Sequence, residues 1–161
     1  MTEYILSQAQ RTVGCLIKHN MTVSSAESCT GGLLSAAITS VPGASAVIGL
    51  GICSYSAEMK QKILGVPTEV IERYGTVSRE TADEMAKRVR ELSGADIGVS
   101  ITGSAGPEPA EGKAPGTVFI GISSEKLSYV KKLTLDSPGR MIVRETAVYE
   151  ALAMISDLLE S

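Results

Sequence analysis

The chain has 161 residues, of which 43% are hydrophobic and 20% are charged, with 16 Gly and 6 Pro. This length predicts a single domain over residues 1–161, and the composition excludes disorder, a collagen-like repeat and a coiled coil. Lys and Arg number 15 against 18 Asp and Glu, and there is one Phe and no Trp. Because nucleic-acid binders need basic surfaces or aromatic platforms, we expect a small polar ligand and no nucleic acid.

The three cysteines predict a reducing, cytoplasmic setting. They are odd in number and fall inside helix-like or strand-like patterns, so a disulfide framework is not expected. Residues 1–10 contain Glu3 and no basic segment before an apolar run, which differs from a signal peptide. The most apolar stretch, residues 41–53, contains three glycines and is too short to cross a bilayer, so we expect no membrane contact.

The elements follow one another as alternating helices and strands. Apolar spacing predicts a helix over 4–18, with Thr2 as its cap and His19-Asn20 as its stop. The remaining predicted elements are a strand at 21–26, a helix at 33–38, a buried strand at 47–55, helices at 58–64, 69–74 and 78–92, strands at 95–102, 116–122 and 128–135, and a final helix at 140–159.

Helices between strands require crossover connections, which make strands parallel. We therefore predict an α/β fold, a three-layer α/β/α sandwich whose central sheet is mostly parallel, with an antiparallel pair over 116–135. Residues 103–115 are too long for a simple connector and are a candidate functional loop.

A glycine turn, ESCTGG over 27–32, stands where the first strand meets a helix. The hydroxyls of Ser28 and Thr30, with the backbone of Gly31 and Gly32, could cradle a phosphate at the helix N-terminus. The alternative is a Thr-capped helix after a tight turn. The Cys29 thiol is a weaker candidate, because no histidine can be placed beside it.

The lone histidine, His19, lies at the end of a surface helix. It excludes a Ser-His-Asp triad and multi-histidine metal sites, so hydrolysis would need another base and no metal is expected. Tyr55 and Lys60 flank a strand-to-helix transition, and a desolvated lysine with a pKa near 7–8 can serve as a general base. Ser45, before the same strand, is the hydroxyl that we nominate as its partner. The alternative makes Tyr55 a packed aromatic residue and Lys60 a solvated one.

A second glycine turn, TGSAGP over 102–107, repeats this pattern at the end of a buried strand. Two such turns at the carboxyl edge of a sheet predict one crevice, although Gly-Pro also marks ordinary turns. Arg140 and Arg144 lie one turn apart at the start of the last helix. Cations there oppose the helix dipole, which favours a phosphate or carboxylate partner for one of them.

Seven ordered strings extend over nearly the whole chain, and together they resemble the CinA C-terminal domain family. They are AESCTGG (26–32), PGAS (42–45), YSAEMKQKILGV (55–66), YGTVS (74–78), TGSAGP (102–107), PGTV (115–118) and GRMIVRETAVYEAL (139–152). The resemblance implies a nicotinamide-nucleotide amidase that hydrolyses nicotinamide mononucleotide to nicotinic acid mononucleotide and ammonia, in pyridine nucleotide salvage, without a metal or organic cofactor. It also implies a homodimer.

The family's catalytic residues would fall on Ser45, Tyr55 and Lys60, and its Thr-Gly turn and C-terminal arginine on Thr102-Gly103 and Arg140. In the expected mechanism neutral Lys60 takes a proton from Ser45, which attacks the carboxamide, while Tyr55 holds the network and a backbone N–H stabilises the oxyanion. Larger members carry an N-terminal nucleotide-pyrophosphatase-like domain, whose activity is not expected here.

Three strings depart from the family pattern, one of which is Lys113-Ala114-Pro115 in place of the family's Lys-Pro-Val. Glu108-Pro109-Ala110 replaces glycines in the long loop, and Ser137-Pro138-Gly139-Arg140 keeps the arginine but loses its acidic neighbour. The retained serine, tyrosine and lysine favour an enzyme. The altered loop favours the alternative, a non-catalytic nucleotide-binding or regulatory module of the same fold.

Overall fold

A computed structural model describes residues 1–136 and 139–161; Ser137 and Pro138, from the altered string before the last helix, lie outside the described residues. The elements are α1 (Glu3–His19), β1 (Val23–Glu27), α2 (Leu33–Thr39), β2 (Ile48–Cys53), α3 (Ala57–Lys62), α4 (Thr68–Tyr74), α5 (Arg79–Ser93), β3 (Ile97–Gly103), β4 (Thr117–Ser123), β5 (Ser128–Thr134) and α6 (Arg140–Glu160). Each predicted helix and strand is present, with boundaries shifted by a few residues.

The five strands form one mixed sheet in the order β2-β1-β3-β4-β5. β1 pairs in parallel with β2 and β3, whereas β4 is antiparallel to both β3 and β5. Four strands therefore run in one direction and β4 runs in the other. The predicted α/β sheet, mostly parallel with an antiparallel hairpin at one side, is confirmed.

Helices cover both faces of the sheet. Leu16 of α1, Leu34 of α2 and Leu152 of α6 pack in one apolar cluster with β3 and β4. On the other face α5 lies very close to the strands, because a Cβ on Gly98 or Gly121 would clash with the α5 backbone. This close approach needs the two glycines and makes the sandwich compact at its centre.

The prediction that residues 47–55 form a buried strand is wrong for β2. Among the described residues, β2 is an edge strand that pairs only with β1, and its residues Gly49, Gly51 and Cys53 are exposed. A single-turn 3₁₀ helix, Ala44–Ala46, precedes it and was not predicted. Of the predicted caps, the Ser78 hydroxyl accepts the Thr81 N–H at 3.1 Å, but Thr2 makes no side-chain cap bond.

The carboxyl ends of β1, β2 and β3 meet at one edge of the sheet, because these strands are parallel. The amino end of the antiparallel strand β4 lies at the same edge. The segments that follow β1, β2 and β3, including the long loop over 104–116, therefore converge there. Among the described residues, no helix combines the length and apolar character needed to cross a membrane.

Candidate active site

A cleft of about 170 Å³ opens at this edge of the sheet. It lies between the turn after β1, the segment after β2, the connection between α4 and α5, and the long loop. Its lining residues are Ser28, Cys29, Tyr55, Thr76, Val77, Gly103, Ser104, Ala105, Gly106, Glu108, Ala110 and Arg140. The two predicted glycine turns therefore do border one crevice.

Lys60 lies beneath this cleft and is fully buried. α3 begins at Ala57, where the Ser56 hydroxyl caps it by accepting the Met59 N–H at 3.1 Å, so Lys60 stands in the first turn beside the end of β2. Its Nζ donates to Ser54 O at 2.7 Å, to Ser28 Oγ at 3.1 Å and to Tyr55 O at 3.3 Å. The alternative of a solvated lysine does not fit this position.

Burial lowers the pKa of Lys60 to about 8, although the Cys29 thiol and the Glu111 carboxylate act in the opposite direction. A neutral amine has two N–H donors and one lone pair. The carbonyls of Ser54 and Tyr55 can take the two hydrogens, which leaves the lone pair free to accept the Ser28 hydroxyl proton at 3.1 Å. The surroundings of Lys60 thus favour a general base directed at Ser28.

The expected pairing of Ser45 with Lys60 is not formed. Ser45 is exposed in the 3₁₀ turn that precedes β2, whereas Lys60 follows β2. The six residues of β2 extend roughly 20 Å at about 3.3 Å per residue, so the two side chains lie at opposite edges of the sheet. Ser28, which the sequence placed only in a phosphate-binding turn, occupies the position beside the lysine.

Tyr55 and Arg140 form the rim of the cleft. Tyr55 is 61% exposed, so it is not a packed core residue. The Arg140 guanidinium donates to Tyr55 Oη at 3.2 Å and to Gly106 O at 2.7 Å. A guanidinium has five N–H groups, and these contacts leave others available for an anion. Arg144, one turn further on, instead donates to Thr30 O at 2.8 Å.

The amides of Gly31 and Gly32, in the turn after β1, are not free to bind a phosphate. Glu27, fully buried at the end of β1, accepts the N–H groups of Gly32, Leu34 and Ser35 at 3.1, 3.0 and 2.9 Å, and the Ser35 hydroxyl at 2.8 Å. The Gly31 N–H is also taken, by Ser28 O at 3.0 Å. The predicted phosphate cradle at Gly31 and Gly32 is corrected: the chain's own carboxylate occupies the α2 N-terminus.

The hydroxyls of Thr30 and Thr102, which were predicted to bind the ligand, do not face the cleft as free donors. Thr30 is fully buried, and within the described ranges its hydroxyl has no hydrogen-bond partner. The Thr102 hydroxyl donates to Thr76 O at 2.7 Å and ties β3 to the α4–α5 connection. Gly103 does border the cleft. A Cβ there would come within 2.8 Å of Thr117 O, so this glycine is needed for close strand packing.

Glu111 was not singled out in the sequence, yet it anchors the long loop. Its carboxylate accepts the Thr76 N–H and hydroxyl, both at 2.7 Å, and the Val77 N–H at 3.1 Å. Thr76 and Val77 line the cleft. Glu111 therefore holds the loop against the opposite wall of the cleft.

Cys29 is a poor nucleophile in this setting. Burial raises the pKa of its thiol to about 11, although a helix N-terminus would lower it. The backbone N–H of Cys29, in contrast, is available to donate to a ligand in the cleft. Within residues 1–136 and 139–161, it donates to no other residue. The lone histidine, His19, bonds to Cys15 O at the end of α1.

The fold and the cleft define an α/β/α domain with a serine–lysine pair at the carboxyl edge of its sheet. A family model described as the CinA C-terminal domain matches residues 6–159, and the chain belongs to this family. The predicted resemblance is confirmed.

Relatives and solved structures agree with this assignment. Putative competence-damage inducible proteins are 46% identical over 146 residues in Caldanaerobacter subterraneus and 42% identical over 153 residues in Streptococcus pyogenes. These alignments cover 90% and 95% of this chain but 35% and 36% of the relatives, so the chain spans about a third of their length.

Two crystal structures superpose closely on this fold. One is the competence/damage inducible protein CihA from Agrobacterium tumefaciens, with a TM-score of 0.94 and 33% identity, covering 100% of this chain and 98% of that one. The other is the competence damage-inducible protein A from Klebsiella pneumoniae, with a TM-score of 0.93 and 30% identity, covering 97% of each chain.

Proposed function

We propose that this domain hydrolyses the carboxamide of nicotinamide mononucleotide to nicotinic acid mononucleotide and ammonia. The observation that supports this most is the Lys60–Ser28 contact at 3.1 Å, with both backbone carbonyls beside Nζ. This arrangement suits a serine nucleophile with a lysine base, and the family resemblance supplies the substrate. The proposed catalytic set is Ser28, Lys60 and Tyr55, in which Ser28 replaces Ser45.

In the first half of the reaction, neutral Lys60 takes the proton of Ser28 as the serine oxygen bonds to the carboxamide carbon. The Cys29 N–H, directly after the nucleophile, donates to the developing oxyanion. The carbon–nitrogen bond then breaks. The leaving nitrogen takes the proton from the Lys60 ammonium and departs as ammonia, which leaves an ester on Ser28.

In the second half, Lys60 takes a proton from water, and the resulting hydroxide adds to the ester carbonyl. The bond to Ser28 breaks, and Lys60 returns the proton to the serine oxygen. The product is nicotinic acid mononucleotide, whose new carboxylic acid group releases its proton to solvent. Tyr55 acts at the rim, where its hydroxyl accepts from Arg140 and holds the arginine in place for the ligand phosphate.

The assay that tests this function is direct. We expect incubation with nicotinamide mononucleotide to release ammonia in step with formation of the acid nucleotide. No release above a protein-free blank, together with clear binding of the nucleotide, would leave the alternative, a non-catalytic nucleotide-binding or regulatory module. Neither release nor binding would contradict both functions.

Arg140→Ala is expected to raise the KM for nicotinamide mononucleotide by about 10- to 100-fold, since a hydrogen bond to a charged group is worth roughly 1.5–3 kcal/mol. The KM for nicotinamide riboside, which lacks the phosphate, should change little. Steady-state kinetics on both substrates measure the difference, and Arg88→Ala on α5 serves as the control for loss of an arginine. Equal changes on the two substrates would contradict phosphate binding by Arg140.

Two further parts of the proposal concern the setting. We propose a homodimer that includes the exposed edge strand β2, since its backbone has a partner on only one side. We also propose a cytoplasmic location, which the free thiols of Cys15, Cys29 and Cys53 favour.

A further inference from the structure

The cleft contains a carboxylate that the proposed reaction does not use. Glu108 and Arg140 are the charged residues among its lining residues. Within the described part of the chain, Glu108 forms no ion pair with any lysine, arginine or histidine. Its charge is therefore available to a ligand in the cleft.

The segment that carries Glu108 is fixed on both sides. Before it, Gly106 O accepts from Arg140 at 2.7 Å. After it, the Ala110 N–H donates to the buried Ser104 hydroxyl at 3.2 Å, and Glu111 is bonded to Thr76 and Val77. The two carboxylates of this loop thus differ: Glu111 is used as an anchor, whereas Glu108 stays on the cleft wall without a counter-ion.

The cleft therefore offers a cation in Arg140 and, separately, an anion in Glu108. A phosphate group would pair with the charge of Arg140 and leave the charge of Glu108 without a partner. We propose that Glu108 is a specificity-determining residue, which selects carboxamide substrates whose ring carries a positive charge, as a pyridinium does. This inference rests on the proposed function and extends it. In the proposed function Arg140 binds the phosphate, and here Glu108 in addition recognises the positive charge of the ring.

The test uses two ligands that differ in ring charge. Nicotinamide mononucleotide has a cationic ring, and its dihydro form has a neutral ring with the same carboxamide, ribose and phosphate. Dissociation constants are measured in the Ser28→Ala protein, so that neither ligand is hydrolysed. We expect the cationic ligand to bind about 2- to 5-fold more tightly than the dihydro form at low salt, as for a partly exposed charge pair.

Adding Glu108→Gln should bring this ratio close to one by weakening only the cationic ligand. Glu125→Gln, an equal charge change in the turn between β4 and β5 at the opposite edge of the sheet, should leave the ratio unchanged. Thermal unfolding of each variant shows whether the fold is retained. High salt should reduce the preference in the parent protein, since screening weakens exposed pairs.

The two proposals fail in different ways. If nicotinamide mononucleotide binds but Glu108→Gln leaves the ratio unchanged, or weakens both ligands equally, the role of Glu108 is overturned and the amidase proposal stands. If the Ser28→Ala protein binds neither ligand and the parent releases no ammonia, the proposed function is overturned, and the role of Glu108 with it.

Discussion

Lys60→Met is expected to lower kcat/KM for nicotinamide mononucleotide by about 10²- to 10⁴-fold, the range found when a general base is removed. Methionine fills much of the volume of the fully buried lysine but cannot accept the Ser28 proton. Lys62→Met, two residues further along the same helix on an exposed position, is the matched control and should retain activity. A Lys60→Met protein within about threefold of the parent would refute the assignment.

The same lysine should set the pH dependence of the proposed reaction in the parent protein. Its pKa is lowered to about 8 by burial, and only the neutral amine can act as the base. Activity should therefore rise as the pH increases through about 8 and then level off. The unfolded chain, with an ordinary lysine pKa near 10.4, binds more protons between pH 8 and 10.4, so the stability contributed by this group also rises over that window. A kcat/KM that is flat from pH 6.5 to 9 would contradict a base with this pKa.

Ser28→Ala is expected to reduce turnover by roughly 10³-fold or more, because it removes the nucleophile and leaves only binding and oxyanion stabilisation. Ser45→Ala should stay within about threefold of the parent, since Ser45 is exposed at the far edge of the sheet. The comparison is well matched: both variants remove one hydroxyl, and both should retain the thermal unfolding temperature of the parent within a few degrees.

The outcome of this pair decides between two assignments of the serine. Loss of turnover in Ser45→Ala with retention in Ser28→Ala would contradict the geometry within one chain. Formation of a covalent ester on Ser28, trapped from the substrate and located by mass spectrometry, is the independent observation that we expect to accompany the kinetic result.

The elements could be predicted from the sequence because their signals are local. The apolar period of α1 and the Ser78 cap of α5 depend on neighbouring residues, and both are present. The edge position of β2 could not be predicted in this way, because strand order depends on which strands pair across the whole chain. Exposed glycines in an apolar strand look the same in the sequence as buried ones.

The serine that lies beside Lys60 in the structure is Ser28 rather than Ser45, and the signal for this contact was available in the sequence. Ser45 is near Lys60 in sequence, but a strand lies between them, and a residue before a strand and one after it lie at opposite edges. Ser28 follows β1 and Lys60 follows β2, and the carboxyl ends of parallel strands share an edge. The same rule that predicted the crevice therefore points to Ser28.

The role of Glu27 was not accessible from the pattern. The N–H groups that donate to Glu27 are brought to it by the left-handed backbone of Gly31 and Gly32, with φ of 60° and 94°. This backbone conformation turns the start of α2 back onto the end of β1. The sequence shows a glycine turn at a helix N-terminus. It does not show whether the anion held there comes from a ligand or from the protein.

The carboxylate of Glu27 also bears on where an anionic ligand can bind. Because it already accepts the N–H groups at the start of α2, this helix N-terminus is not open to a second anion, and Arg140 on the rim remains as the cation for the proposed phosphate. In the proposed function, the nucleotide therefore binds with its phosphate at Arg140 and its uncharged carboxamide towards Ser28. The turn is also held in shape before any ligand arrives, so binding energy is not spent on ordering it.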